Sequence, residues 1–163
     1  MSEFIIGLSV GLGMVLGLFL SETLGITAGG IIVPGWIALS LHQPFSVFIT
    51  FIISIAVFLI VRGLSKFMII YGKRRLVLSL LLGFLFGYLY KSYIVGYLSE
   101  NFDFLNTTSE NITIGSIGHI IPGLIANHMD RQGVINTISV ILITASIVQL
   151  IIILITNGRV INV

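Results

Sequence analysis

A short phrase that contains Pro-Gly occurs twice in the sequence and constrains the fold more than any other feature. Residues 30–38 read GIIVPGWIA and residues 118–126 read GHIIPGLIA. Proline removes a backbone donor and clashes with the preceding helical turn, while the glycine that follows it permits unusual dihedral angles. We therefore predict a bent or broken helix at each copy. The motif residues of the two segments are Gly30, Pro34, Gly35, Gly118, Pro122 and Gly123.

The composition places both copies in a membrane protein. Hydrophobic residues make up 56% of the 163-residue chain and charged residues 9%, which is too apolar for one soluble core. Four apolar stretches reach or approach the ~20 residues that a helix needs to span a bilayer. They cover residues 4–20, 45–61, 76–98 and 134–155. We predict an all-α integral membrane protein with four long transmembrane helices and two Pro-Gly-broken segments.

The repeated phrase predicts an internal repeat, whose orientation has alternatives. If each Pro-Gly segment crosses the membrane, each half has three spans and the halves are inverted. If the segments only dip into one face, the halves are parallel, and both segments could also be tight turns between ordinary helices. We favour the inverted arrangement, because inverted repeats with broken helices recur where a polar substrate crosses lipid. The predicted single membrane domain, residues 1–163, has a first half (1–61), an interfacial basic helix (62–75) and a second half (76–163).

Small residues spaced four apart predict close helix packing in two of the apolar stretches, since small side chains let helix backbones approach each other in lipid. The spacing occurs at Gly7 and Gly11, at Gly13 and Gly17, and at Ser79, Gly83 and Gly87. At this stage, the partner of the first stretch is either a helix of the same chain or another copy.

Basic residues are concentrated in one stretch between the second and third apolar segments. The stretch contains Arg62, Lys66, Lys73, Arg74 and Arg75, which are five of the eight Lys and Arg residues. We predict an amphipathic interfacial helix that faces the cytoplasm, by the positive-inside rule. These cations are candidate binding residues. The alternative is a topology signal that also contacts lipid headgroups.

Further candidate binding residues flank the Pro-Gly segments. Glu22 precedes the first segment, and Asn127, Arg131 and Gln132 lie in a polar run that ends the second. For Glu22 an ordinary solvated carboxylate is the alternative. The sequence has no nucleophile beside a base, no metal-ligand spacing and no phosphate-binding glycine loop, so we expect no catalytic residue, metal site or cofactor in this chain. No nucleic-acid partner is expected either.

A family resemblance is carried by residues 25–35, the pair Gln43 and Pro44, residues 64–72, residues 121–127, and the pair Gln132 and Gly133. In this order and spacing, the sequence resembles the PgsC/CapC family, the small membrane subunits of the bacterial poly-γ-glutamate capsule synthase. The resemblance extends over nearly the whole chain. It implies a multi-pass protein of the bacterial cell membrane that is not catalytic alone.

The resemblance also implies partners: a cytoplasmic ATP-dependent amide ligase of the Mur-ligase type, other membrane-anchored capsule proteins and the polymer itself. ATP and a divalent metal are expected on the ligase. On this interpretation the chain anchors the ligase and helps the anionic polymer across the membrane, as part of an oligomer. The alternatives are a stand-alone small secondary transporter and a pure membrane scaffold.

Overall fold

The computed structural model describes residues 2–41, 44–67, 72–90, 92 and 115–155. The regular structure within these residues is helical, as the composition predicted. In chain order the helices are α1 (Ser2–Leu24), α2 (Val33–Ser40), α3 (Pro44–Phe67), α4 (Lys73–Leu89), α5 (Gly115–Gln132) and α6 (Val134–Ile155).

Three of the described helices are long and apolar enough to cross a membrane. They are α1 over Ile6–Thr23, α3 over Pro44–Lys66 and α6 over its full length, Val134–Ile155. Their outer faces present large apolar side chains: Ile135 is 80% exposed and Leu154 is 72% exposed. A soluble monomer rarely exposes apolar surface on this scale, whereas lipid covers it readily. The fourth predicted span, residues 76–98, is described only in part, since the structure describes residues 76–90 and 92 of it, with α4 ending at Leu89.

The described residues divide into two compact units, and each unit takes a helix from the other half of the sequence. Unit 1 combines the described parts of Met1–Ile49 and His128–Val163, and unit 2 is formed by the described part of Thr50–Asn127. In unit 1, α1, α2 and α6 pack on one another. Unit 2 contains most of α3, together with α4 and the first part of α5.

The core of unit 1 is built on one face of α6. Its buried residues recur every three or four positions, as expected for a helix with one packed side. They are Thr137, Val140, Ile141, Thr144, Ala145, Val148 and Ile152. The two buried hydroxyl groups on this face both donate a hydrogen bond. Thr137 donates to the Gly133 carbonyl at 2.7 Å, and Thr144 donates to the Val140 carbonyl at 2.6 Å.

The described parts of the basic stretch lie in two helices, and residues 68–71 of the predicted helix over residues 62–75 lie outside the described residues. Arg62 and Lys66 lie in the last turns of α3, which ends at Phe67. Gly72 has φ +62°, a left-handed value that L residues rarely adopt. It interrupts any helix that would continue through it, and α4 begins with Lys73. The predicted division of the single domain into sequence halves remains a prediction.

The two Pro-Gly copies have different local structures, and neither is a helix broken in its middle. In the first copy, residues 25–32 are non-helical and α2 starts at Val33, with Pro34 in its first turn. Proline is tolerated there because the first helical N–H groups have no intrahelical partner. In the second copy, Pro122 lies inside α5, which is continuous from Gly115 to Gln132.

Candidate functional site

In unit 1 the first Pro-Gly pair lies directly against α1. An ideal Cβ on Gly13 would be 2.5 Å from the Cα of Gly35, and a Cβ on Gly35 would be 2.7 Å from the Ser9 carbonyl oxygen. Both distances are below those of real Cβ contacts, so only glycine fits on either side. The Ser9 hydroxyl group donates to the Gly35 carbonyl at 3.0 Å and is fully buried. The contact therefore joins two backbones and adds an interhelical hydrogen bond.

Unit 2 repeats this contact with the second Pro-Gly pair. An ideal Cβ on Gly83 of α4 would be 2.5 Å from the Gly123 nitrogen, and one on Gly123 would be 2.7 Å from the Leu80 Cα. Gly87, one turn further along, lies against His119, whose Cδ2 would be 3.0 Å from the added Cβ. The ring of Phe84 meets the His119 ring edge-on, with centroids 5.9 Å apart.

The two contacts use the same small-residue pattern, Ser-x₃-Gly-x₃-Gly. Its members are Ser9, Gly13 and Gly17 in α1, and Ser79, Gly83 and Gly87 in α4. We call each contact between such a helix and a Pro-Gly pair a Pro-Gly crossing. The predicted close packing is confirmed at these positions. The other spacing, Gly7 and Gly11, is exposed, and no atom of the described residues lies within 4 Å of either ideal Cβ.

A second feature of unit 1 is a polar corner, formed by Thr27, Gln132 and Thr137. The Gln132 Oε1 accepts hydrogen bonds from the Thr27 N–H at 3.0 Å and the Thr27 hydroxyl group at 3.1 Å. Its Nε2 donates to the Thr27 carbonyl and, at 3.1 Å, to the Thr137 Oγ1. The corner thus joins the non-helical segment, residues 25–32, to the end of α5 and the start of α6.

Two glycines continue the non-helical segment along these helices. An ideal Cβ on Gly29 would be 2.7 Å from Cδ1 of Ile141, and one on Gly30 would be 3.7 Å from Cε1 of His128. Gly29 and Gly30 have φ values of +73° and +120°. The segment is therefore held by α6 at Gly29 and approaches α5 at Gly30.

The structure brings only some of the predicted site residues together. Gln132 reaches Thr27, whereas Glu22 and Arg131 are exposed at the ends of α1 and α5. Asn127 is half-buried in α5. Sequence reasoning missed Thr27, although a polar residue two positions before a pair of adjacent glycines in an apolar segment was a usable signal. It also missed Ser9, whose spacing to Gly13 matches that of Ser79 to Gly83.

The predicted basic residues lie at the ends of α3 and α4 in unit 2. Lys73 and Arg74 are exposed in the first turn of α4, and Arg75 is half-buried. Arg62 and Lys66 are exposed near the end of α3, where the Arg62 guanidinium lies 5.7 Å from the centre of the Phe58 ring. The motif residue Gly118 lies within α5.

Together, the apolar helices define a helical membrane protein, in which a Pro-Gly crossing occurs in each of the two units. The chain belongs to the CapC family of capsule biosynthesis proteins, because the family model described as "Capsule biosynthesis CapC" matches residues 12–138. The matched range includes both Pro-Gly pairs and the polar corner. The resemblance found in the sequence is thereby confirmed.

Two curated relatives support the same family. The chain is 37% identical over 125 residues to the "PGA biosynthesis protein CapC" of Bacillus subtilis (strain 168), covering 75% of this chain and 76% of the relative. It is 39% identical over 132 residues to the "Capsule biosynthesis protein CapC" of Bacillus anthracis, covering 78% and 79%. No solved structure matches the chain.

Proposed function

We propose that this chain is a membrane subunit of a poly-γ-glutamate synthesis and export complex, which makes a bacterial capsule. It anchors a cytoplasmic ATP-dependent amide ligase and helps the anionic polymer across the cell membrane. The family match and the names of the two relatives support the capsule role. ATP and a divalent metal belong to the ligase in this proposal, and other membrane-anchored capsule proteins complete the complex.

The observation that carries the transport role is the non-helical segment that leads into the first Pro-Gly crossing. Within the described residues, no hydrogen bond engages the backbone N–H groups of Gly30, Ile31 and Ile32. These donors precede the N-terminus of α2, whose dipole adds partial positive charge. Poly-γ-glutamate carries one carboxylate per residue, so unpaired N–H groups offer it hydrogen bonds that lipid cannot provide.

The exposed cations of the α3 and α4 ends supply the second element of the proposal. Lys73 and Arg74, with Arg62, Lys66 and Arg75, form a basic surface that attracts either an acidic patch of the ligase or the polymer as it leaves the ligase. Glu22, Asn127 and Arg131 are proposed as further contacts. A chain of this size cannot enclose a polymer alone, so we propose an oligomer or a shared conduit.

For the membrane arrangement, we propose four long spans, with the fourth over residues 76–98. In this arrangement both Pro-Gly segments cross the membrane as well, the two halves are inverted and both termini lie outside. The exposed apolar faces of α1, α3 and α6 and the repeated Pro-Gly crossing support this multi-pass arrangement. It brings Arg131 to the cytoplasmic side, where the basic surface would also lie.

Charge reversal tests the proposal. Lys73→Glu with Arg74→Glu should abolish polymer formation and ligase co-purification when the full complex is co-expressed, because the basic surface then repels an anionic partner. The matched control, Lys73→Arg with Arg74→Lys, keeps the charge at the same positions and should retain both. Insertion must be measured in each variant, since these charges also set topology. Normal polymer yield from a correctly inserted charge-reversed protein would overturn the proposed role of this surface.

A further inference from the structure

The side-chain amide of Gln132 has no hydrogen-bonding capacity left for a ligand. A primary amide accepts two hydrogen bonds at its oxygen and donates two from its nitrogen. In the structure, Oε1 accepts from the N–H and hydroxyl groups of Thr27, and Nε2 donates to the Thr27 carbonyl and the Thr137 hydroxyl group. All four positions are occupied by groups of the protein itself.

The partners also determine which way the amide points. The Thr27 N–H can only donate and the Thr27 carbonyl can only accept. If Oε1 and Nε2 were exchanged, the amide nitrogen would face the Thr27 N–H and the amide oxygen would face the Thr27 carbonyl, so neither hydrogen bond could form. The Thr137 hydroxyl proton is used by the Gly133 carbonyl at 2.7 Å, so its oxygen accepts from Nε2. The corner therefore requires a group with one acceptor and one donor at this position.

Thr27 lies within the non-helical segment, residues 25–32, and Gln132 is bound to both polar groups of its backbone. Beyond Thr27, the segment contacts Ile141 at Gly29 and then presents the N–H groups of Gly30, Ile31 and Ile32, which form no hydrogen bond within the part of the chain that the structure describes. Ala28 is 3% exposed between the hydrogen-bonded Thr27 and the Gly29 contact. Releasing Thr27 would therefore free the stretch of backbone that leads to those donors.

We propose that Gln132 is a positioning residue, whose amide clamps Thr27 and holds the non-helical segment against the junction of α5 and α6. The clamp acts through Thr27 and does not touch the polymer. Its importance for export rests on the proposed function, in which this segment contacts carboxylates. The clamp itself can be tested without any polymer.

The first test measures access to Ala28. Since the natural chain has no cysteine, Ala28→Cys gives a single buried thiol in the purified full-length protein in detergent. Adding Gln132→Leu, which keeps the size of the side chain but removes all four hydrogen bonds, should raise the thiol labelling rate roughly tenfold or more, because the segment then detaches more often. The matched control is Asn136→Leu, at an exposed amide one turn further on that donates to the Gln132 carbonyl at 3.0 Å.

A pH profile separates a clamp from general loosening of the fold. When protonated, Gln132→Glu can accept from Thr27 and donate to the Thr27 carbonyl, but its ionised carboxylate has no donor and faces that carbonyl. The labelling rate of Ala28→Cys is divided by the rate measured in the Gln132 protein at the same pH. This ratio should rise reversibly towards the Gln132→Leu value as the pH is raised from about 5 to about 8 and the carboxyl group loses its proton.

Titratable groups other than the carboxyl group introduced at residue 132 must be excluded as the source of this pH dependence. His128, Asp130 and Arg131 lie on the same helix and Glu22 at the end of α1, whereas residues 25–32 and 134–141 contain no titratable side chain. Division by the rate of the Gln132 protein cancels the contribution of these groups. Asn136→Asp introduces the same acid on an exposed side chain and should show a flat ratio.

The outcomes distinguish the clamp from the proposed function. Continued protection of Ala28→Cys in the Gln132→Leu protein, or a flat profile for Gln132→Glu, would overturn the clamp. If the labelling results hold and the co-expressed complex loses polymer output with Gln132→Leu but not with Asn136→Leu, both ideas are supported. If labelling rises while polymer output is unchanged, the clamp stands and the segment's role in export is wrong.

Discussion

Gly13 and Gly35 bring two helix backbones together so closely that neither position has room for a Cβ atom. The same relationship joins Gly83 and Gly123 in unit 2. In both units, the helix that precedes the Pro-Gly pair contributes a Ser-x₃-Gly-x₃-Gly stripe, and its middle glycine meets the glycine of the pair. The two Pro-Gly pairs therefore share one packing geometry, although their helices, α2 and α5, differ in length and in the position of proline.

The first prediction concerns this backbone contact. Gly13→Ala should destabilise the protein by about 1–3 kcal/mol, because the added methyl group must displace the backbone of α2. Gly11→Ala is the matched control on the same helix, since its ideal Cβ has no atom within 4 Å among the residues that the structure describes. It should be neutral, or stabilising by up to ~1 kcal/mol through lower backbone entropy in the unfolded state.

Thermal unfolding in detergent measures this difference. The signal is the loss of the monodisperse peak in size-exclusion chromatography. The corresponding pair in unit 2 is Gly83→Ala, which meets the Gly123 backbone, and Gly63→Ala, which meets nothing within 4 Å. Equal midpoints for Gly13→Ala and Gly11→Ala would show that the crossing tolerates a methyl group and is not a close backbone contact.

The second prediction concerns Gly29 and Ile141 in unit 1. Gly29→Ala should be more destabilising than Gly25→Ala, although both residues have positive φ and so share the backbone strain of an L residue. The difference is the contact: a Cβ on Gly29 would be 2.7 Å from Ile141 Cδ1, whereas nothing lies within 4 Å of Gly25. Thermal unfolding should show the larger midpoint shift for Gly29→Ala.

A double-mutant cycle isolates that contact. Ile141→Val removes Cδ1 and alone should cost about 0.5–1.5 kcal/mol, because the side chain is fully buried. In the double variant with Gly29→Ala, the valine should relieve part of the clash, giving a favourable coupling of about 0.5–3 kcal/mol. Strict additivity of the two single substitutions would contradict the packing of the non-helical segment on α6.

The third prediction concerns the proposed inverted topology. If both Pro-Gly segments cross the membrane, a membrane-impermeant thiol reagent added to intact cells should label Ser2→Cys and spare Arg131→Cys. Lysed cells are the control and should allow labelling at both positions, since Arg131 is exposed at the end of α5. Labelling of Arg131→Cys alone in intact cells would instead establish the parallel arrangement, with Pro-Gly segments that dip into the outer face.

The glycines of α1 and α4 show which part of the site could be predicted from the sequence. The spacing of Ser79, Gly83 and Gly87 correctly indicated a packing face, because every fourth residue of a helix lies on the same side. The same rule could not choose between Gly7 with Gly11 and Gly13 with Gly17, which lie on neighbouring faces of α1. Only the position of α2 decided that Gly13 is covered and Gly11 is exposed.

The sequence by itself determined the helical membrane class, the family and the positions of the two Pro-Gly pairs, because apolar run length and residue spacing are local properties of the chain. The sequence also explains why the residues before Pro34 are non-helical whereas those before Pro122 are helical. The adjacent glycines Gly29 and Gly30 disfavour a helix on the N-terminal side of Pro34. Tertiary structure alone decided that α6 packs with α1 and α2, and that Gln132 is bound to Thr27. Both choices depend on which surfaces meet across distant parts of the chain, and neither hydropathy nor spacing along one segment contains that information.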